Sequence, residues 1–307
     1  MRKLVLLFIP IVLVSCRLDQ ENKNLGPIHI VTTTGIIGDV VEQVAGDSAE
    51  VTSIMGPGTD PHIYKPTPGD IDLLDGADVI IANGLHLEGK MAEMLDKYSQ
   101  EKPVIFIADG IRTSKLIKSA DFEGAYDPHI WFDTKIWMEG MEYMTEELIK
   151  LDTSCRQYYE KNFESYVSEI EKADDWIADQ LESVPEDQRI LITSHDAFSY
   201  FGRRYGLEVR GIQGISTNSE VGLKDISDMV DFVIEREIPS IFVETSTSDK
   251  TAQSIVDGCK DKGYKLRLDG PLFSDALGEP DSEGGTYIGM IRKNVKVIVE
   301  GLKKSNE

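Results

Sequence analysis

Three histidines sit in polar, proline-punctuated contexts that suit ligand chemistry. His62 lies in Gly-Thr-Asp-Pro-His-Ile-Tyr-Lys-Pro-Thr-Pro-Gly-Asp, His129 in Tyr-Asp-Pro-His-Ile-Trp-Phe-Asp, and His195 in Ile-Thr-Ser-His-Asp-Ala-Phe. A fourth ligand-type residue, Asp275, lies in Pro-Leu-Phe-Ser-Asp-Ala-Leu-Gly. Successive members of the set are 67, 66 and 80 residues apart. Any one of these histidines alone would read as a satisfied structural residue. Their joint placement argues otherwise, because each of the four follows a predicted strand. Three imidazoles and a carboxylate make a ligand set for a borderline divalent ion such as Zn²⁺ or Mn²⁺. The other two histidines give a contrast. His29 falls inside a predicted strand and His86 in a turn, Asn-Gly-Leu-His-Leu-Glu, and neither fits the spacing.

Three further carboxylates stand near this set. Asp60 and Asp127 each precede a histidine by two residues, with proline between. They either hold the far side of the imidazole or make turns. Glu244, at a predicted strand end, either supports a ligand in the same way or caps a helix or lines the cleft.

The elements that must position these residues read as α/β. Short apolar or β-branched runs occur at 28–33, 51–55, 78–82 and 103–107, and again at 190–193, 207–210, 240–244 and 264–268. Several are apolar throughout, as strands covered on both faces are. Helical stretches alternate with them at 35–45, 88–98, 222–237 and 250–262. That alternation predicts parallel sheets of βα units. Between the two sets, Tyr159, Phe163, Tyr166, Ile170, Ala173, Ile177, Leu181 and Val184 recur at steps of three and four. They mark one face of a helix over about 154–184, capped by Thr153 or Ser154 and roughly 45 Å long. Such a helix fits a rigid strut joining two lobes better than a crossover. Two candidate ligands precede it and two follow. If each lobe turns the carboxyl edge of its sheet to the other, all four meet in the cleft between them. The expected organisation is a leader over 1–15, a lipidated cysteine and tether over 16–27, and an N-terminal α/β lobe over 28–152. A linking helix over 153–185 and a C-terminal α/β lobe over 186–307 complete it.

The leader is predicted from Arg2 and Lys3 ahead of an apolar run from Leu4 to Val14. That run is too short to span a bilayer, which takes about 20 residues, and suits a secretory signal. Leu13-Val14-Ser15-Cys16 resembles the bacterial lipobox, which makes Cys16 a lipid-anchor site. The polar stretch 17–27 reads as a tether. Against 32 Lys and Arg stand 54 Asp and Glu, a net charge of −22. With no basic cluster, nucleic acid and a polybasic membrane-surface mode are excluded as partners. Three cysteines allow neither a disulfide scaffold nor a Cys₄ zinc site. Cys155 and Cys259 are read as thiols that are at least partly buried, with pairing left open.

The chain resembles a known family through a set of motifs. They are Thr-Thr-Thr-Gly35-Ile-Ile-Gly-Asp39, Asp-Pro-His62-x-Tyr-x-Pro-Thr-Pro-x-Asp70, Asn83-Gly84-Leu-x-Leu-Glu88 and Asp-Pro-His129-x-Trp-x-Asp133. To these are added Ser-His195-Asp-Ala-Phe-x-Tyr-Phe, Gly211-Ile-Gln-Gly-Ile-Ser-Thr, Phe273-Ser-Asp275-Ala-Leu-Gly and Gly285-Thr-Tyr-Ile-Gly-Met. Together they resemble the TroA-like (cluster A-I) substrate-binding lipoproteins of zinc or manganese ABC importers. The resemblance covers nearly the whole chain after the leader. It implies two pseudo-symmetric lobes on one rigid helix, with metal ligands at His62, His129, His195 and Asp275. It also implies Zn²⁺, Mn²⁺ or Fe²⁺ as cargo, an ABC permease as partner, a lipid anchor outside the cytoplasm, and a monomer. Many zinc-specific relatives carry a long His-rich loop before the second ligand motif. Here 119–126 is short and has no histidine, which argues against that subtype. Many manganese-specific relatives have Glu where this chain has His195.

Two other functions compete. A zinc hydrolase needs an open coordination position and usually a short motif such as His-Glu-x-x-His, which is absent. The chain is therefore not expected to be an enzyme. A metal-dependent surface adhesin is the other alternative, with no motif of its own to support it.

Overall fold

The computed structural model describes residues 27–119, 124–219 and 221–303. The leader, Cys16 and all but the last residue of the tether lie outside the described residues. Two four-stranded parallel sheets form the frame. The first contains β1 (Ile28–Thr34), β2 (Ala49–Met55), β3 (Val79–Ala82) and β4 (Val104–Phe106), in the order β2-β1-β3-β4. The second contains β5 (Ile190–His195), β6 (Glu208–Gln213), β7 (Ser240–Glu244) and β8 (Arg267–Leu272), in the order β6-β5-β7-β8. The two orders are the same, so the lobes repeat one topology. Inner strands β3 and β5 are buried along their whole length, which is why β3 and the first half of β5 read as unbroken apolar runs.

Local chemistry sets the helix starts. Strand β1 runs directly into α1 (Gly35–Ala45), where the Thr34 hydroxyl accepts from the Ile37 N–H. Helix α2 (Pro68–Gly76) opens with a capping box between Thr67 and Asp70 and a proline in its first turn. Helix α3 (Ala92–Tyr98) is shorter than the run 88–98 suggests. Glu88 stays outside it because its buried carboxylate accepts from Thr33 Oγ1 (2.9 Å) and from the N–H groups of Asn83 (2.6 Å) and Gly84 (3.3 Å). That bonding winds the loop before α3 through positive φ at Leu85 (53°) and His86 (65°). Helix α4 (Thr134–Leu151) follows, capped by Asp133.

Strand β8 also differs from expectation: the run 264–268 predicts a strand that ends before Gly270-Pro271, whereas the strand continues through both. Proline is tolerated there because β8 is an edge strand. A register shift opposite Phe242 and Glu244 accommodates the extra length.

The long helix is α5 (Arg156–Glu182), 27 residues or roughly 40 Å. Its cap is not Thr153 or Ser154. A 3₁₀ turn at Thr153–Cys155 comes first, with the Asp152 carboxylate accepting from the Ser154 N–H at 3.1 Å. Tyr159, Tyr166, Ile170, Ala173, Ile177 and Leu181 are buried on one face. That face packs on α1 and α4 of the first lobe and on α9 (Tyr287–Leu302) of the second. One hydrophobic core runs from Ile30 and Val40 through Trp137, Met141 and Ile170 to Met290 and Val295.

Polar ties also cross between the lobes. Asp174 on α5 accepts from Thr134 Oγ1 and Tyr205 Oη, each at 2.7 Å, and pairs with Arg204. Tyr205 and Arg204 belong to α6 (Ser199–Tyr205). Helices α7 (Leu223–Glu235) and α8 (Lys250–Asp261) cover the outer face of the second sheet over a smaller core. Cys155 and Cys259 are free thiols, half-buried and buried respectively. Among the described residues no helix is long and apolar enough to cross a membrane.

Candidate metal centre

All four ligand-type residues leave the carboxyl ends of the sheets or the loops beyond them, and they converge. His62, His129, His195 and Asp275 are buried, and their ligand atoms lie within 4.8 Å of one another. His129 Nε2 is 3.2 Å from His62 Nε2 and 3.4 Å from His195 Nε2. The Asp275 oxygens stand 3.8 Å from His62 Nε2, 3.5 Å from His129 Nε2 and 3.3 Å from His195 Nε2. No residue outside the cluster hydrogen-bonds to either Asp275 oxygen. His29 and His86 stand apart from this group. His29 Nδ1 lies 3.4 Å from the Gly76 carbonyl and His86 is exposed.

Each ligand is held by its local sequence. In the His62 loop, the Asp60 carboxylate accepts from the His62 backbone N–H (2.9 Å) and from Thr217 Oγ1 of the other lobe (2.6 Å). Further along, Tyr64 Oη donates to Asp70 at 2.7 Å, tying the loop to the capping box of α2. Those bonds give each polar position of the motif a structural task. Asp127 accepts from both the backbone N–H (2.9 Å) and the imidazole Nδ1 (2.7 Å) of His129. Asn83 Nδ2 donates to the Pro128 carbonyl at 2.9 Å, steadying the residue before the ligand. His195 ends β5, and Glu244 ends the neighbouring β7. Glu244 accepts from the His195 backbone N–H at 2.9 Å and from its Nδ1. The Asp275 loop is pinned by Asn294 of α9, which accepts from Phe273 N–H (2.9 Å) and donates to its carbonyl (2.7 Å).

Asp127 and Glu244 thus touch imidazoles, whereas Asp60 shapes a turn. With Nδ1 of His129 and His195 held by these carboxylates, Nε2 of each ring is the nitrogen that faces the centre and can take an ion. Asn294 was not singled out from the sequence. Its signal was present, since it occupies the apolar stripe of α9 between Ile291 and Val295.

Electrostatics separates the three imidazoles. Burial lowers His62 to about 3, despite the Asp275 carboxylate nearby. Burial also opposes protonation of His195, but Glu244 and Asp275 flank its ring and raise it well above the usual range. For Asp275, burial pushes upward, yet the imidazoles of His195, His129 and His62 prevail and hold it low. A carboxylate that stays ionised among convergent imidazole nitrogens is a cation-binding arrangement.

The family model described as "Zinc-uptake complex component A periplasmic" matches residues 30–301. The chain belongs to this family. Among curated relatives of the zinc-uptake component A family, the manganese-binding lipoprotein MntA of Bacillus subtilis is 38% identical over 298 residues, covering 97% of each chain. The zinc-binding protein TroA of Treponema pallidum is 37% identical over 275 residues, covering 90% of this chain and 89% of that one. The solved structure of that periplasmic zinc-binding protein superposes with a TM-score of 0.88 at 36% identity, over 91% of this chain and all of the other. The Fe(III)-bound YtgA of Chlamydia trachomatis gives a TM-score of 0.81 at 27% identity, over 90% of this chain and 98% of that one.

Proposed function

We propose that this protein captures one divalent transition-metal ion outside the cytoplasm through His62, His129, His195 and Asp275, and delivers it to the permease of an ABC importer. The observation that carries this is the convergence of four buried ligand atoms, two from each lobe, with Asp127 and Glu244 behind two of the imidazoles. The ion is cargo. Four protein ligands fill a tetrahedral site, so no position is left for the water that a zinc hydrolase activates. Capture without turnover is the role, and the chain is not an enzyme. The relatives' names as zinc- or manganese-binding proteins support Zn²⁺ and Mn²⁺ as cargo, and the iron-bound relative supports Fe as a third. Cys16 carries the lipid that keeps the protein at the membrane beside its permease, and the protein acts as a monomer. The organisation proposed is the one expected from sequence: lobes over 28–152 and 186–307 with the linking segment 153–185 between. Among the described residues, adhesion has no separate structural feature to support it.

Calorimetry tests the reading. One Zn²⁺ should bind per chain, and binding should release about one proton near neutral pH. The proton comes from His195, whose raised pKa keeps its ring protonated in the ion-free protein. Affinity should therefore climb as pH rises through that pKa, because the ion needs the Nε2 lone pair. Titrations in buffers of different ionisation enthalpy give the proton count. A stoichiometry well below one would sink the assignment.

The interlobe ties also predict little motion. Hinged binding proteins close by large rotation. Here α5 and the Asp174 cluster resist it. Small-angle scattering with and without Zn²⁺ should give nearly superimposable profiles, and marked compaction would contradict the strut.

A further inference from the structure

Trp131 is outside the ligand set, yet two hydrogen bonds join the halves through it. Its ring is buried and stands edge-on to His129, with centroids 5.3 Å apart and planes at 73°. Its indole Nε1–H donates to the Ser274 carbonyl at 3.0 Å, one residue before Asp275. Its own carbonyl accepts from Tyr287 Oη at 2.7 Å. The Tyr287 backbone N–H in turn donates to Asp39 Oδ2 at 2.9 Å, and Tyr166 Oη of the long helix donates to the same oxygen at 3.0 Å. The path Asp39, Tyr287, Trp131, Ser274 crosses between the lobes three times, passes His129 at Trp131 and ends one residue before Asp275.

We propose that Trp131 is a positioning residue that holds the Asp275 loop against the His129 turn and thereby sets how fast the bound ion leaves. This rests on the metal-capture reading above. For an ion to leave, a ligand must withdraw. His129 and His195 are fixed on their far sides by carboxylates, and the His62 loop by Asp60 and the α2 cap. The Asp275 carboxylate has no such support, because no group outside the cluster hydrogen-bonds to it. Of the ties on its loop, the Asn294 pair lies within the second lobe and moves with it. The Trp131 indole reaches across from the first lobe, so retreat of Asp275 from His129 must break it. Replacing the indole by phenyl keeps an aromatic ring but strands a buried carbonyl. The loss of one such bond corresponds to about a tenfold change in rate.

The test is Zn²⁺ release into excess chelator, followed by stopped flow, on the full chain. Trp131→Phe should release Zn²⁺ about tenfold faster than the native protein, with the association rate little changed. Trp137→Phe is the control, because that indole is equally buried but its Nε1 has no hydrogen-bond partner. It should release at the native rate. Tyr287→Phe, which removes only the hydroxyl that holds the Trp131 carbonyl, should accelerate release in the same direction. Native release rates in both Trp131→Phe and Tyr287→Phe would overturn the proposal. So would equal acceleration in Trp137→Phe, which would mean general loosening of the core. Should Trp131→Phe not fold, Tyr287→Phe decides alone. A native protein that holds no stoichiometric Zn²⁺ would overturn the capture reading first, and this proposal with it.

Discussion

Asp275→Ala loses tight ion binding, by more than about a hundredfold, while His86→Gly binds as the native protein does. The lower bound follows from the behaviour of metal sites, where even a residue behind a ligand is worth about 10–100-fold. Removing a ligand that also supplies the charge should exceed that. Asp275 is the only carboxylate among the four and faces all three imidazoles. Without it an incoming cation meets imidazole nitrogens with no negative charge among the four ligand positions. His129→Ala should be as damaging, since His129 Nε2 lies 3.2 Å from His62 Nε2 and 3.4 Å from His195 Nε2. Glycine is the right replacement at His86 because its φ of 65° disfavours alanine. Competition titration with a zinc-sensitive dye gives the affinities, and circular dichroism verifies folding. Equal damage at His86 and His129 would refute the ligand assignment.

His195→Glu should shrink the preference for Zn²⁺ over Mn²⁺ by at least about tenfold, but only with Glu244→Gln. Nitrogen-rich sites follow the Irving–Williams order, which places Mn²⁺ well below Zn²⁺, and a carboxylate ligand narrows the gap. The native protein should therefore prefer Zn²⁺ in vitro whatever its cargo in the cell. A bare His195→Glu places a second carboxylate against Glu244, which now accepts from His195 N–H and Nδ1. Two buried like charges would drive one to take up a proton, and the new ligand would then be spoiled. Glutamine at 244 keeps an acceptor for the backbone N–H and offers the new carboxylate a donor. Paired Zn²⁺ and Mn²⁺ titrations on the native and double-variant proteins measure the ratio. An unchanged ratio would remove His195 from the ligand set.

What the sequence disclosed and what it hid follow from the range of the forces involved. Strands β3 and β5 were legible because burial on both faces leaves an unbroken apolar run. Helix α5 was legible because one face repeats over 27 residues. The four ligand-type residues were legible from even spacing in two repeated halves, and the structure brings them within 4.8 Å. The end of β8 was not, because Gly270-Pro271 reads locally as a turn and only its edge position makes it a strand. The start of α3 was obscured by Glu88, whose carboxylate binds loop donors that no helical periodicity reveals. Asp60 and Asp127 occupy identical local motifs, yet one bonds a backbone and the other an imidazole as well. That difference is made by ring orientation, which depends on distant packing. The Trp131 bond spans 143 residues of sequence, so the motif marks Trp131 but not its partner.

The core that threads both lobes has a consequence for how such a chain can change. Its two halves share one strand order, as though a single unit had been copied. Yet Ile170 and Ile177 of α5 belong to the same apolar cluster as Val40 of the first half and Met290 of the second. Cutting at the linker would lay that surface open to water on both fragments. The repeated topology therefore does not make the halves separable units, because one core holds side chains of both. Substitutions that drift into one half are felt by the other through shared side chains, so the halves are bound to diverge together.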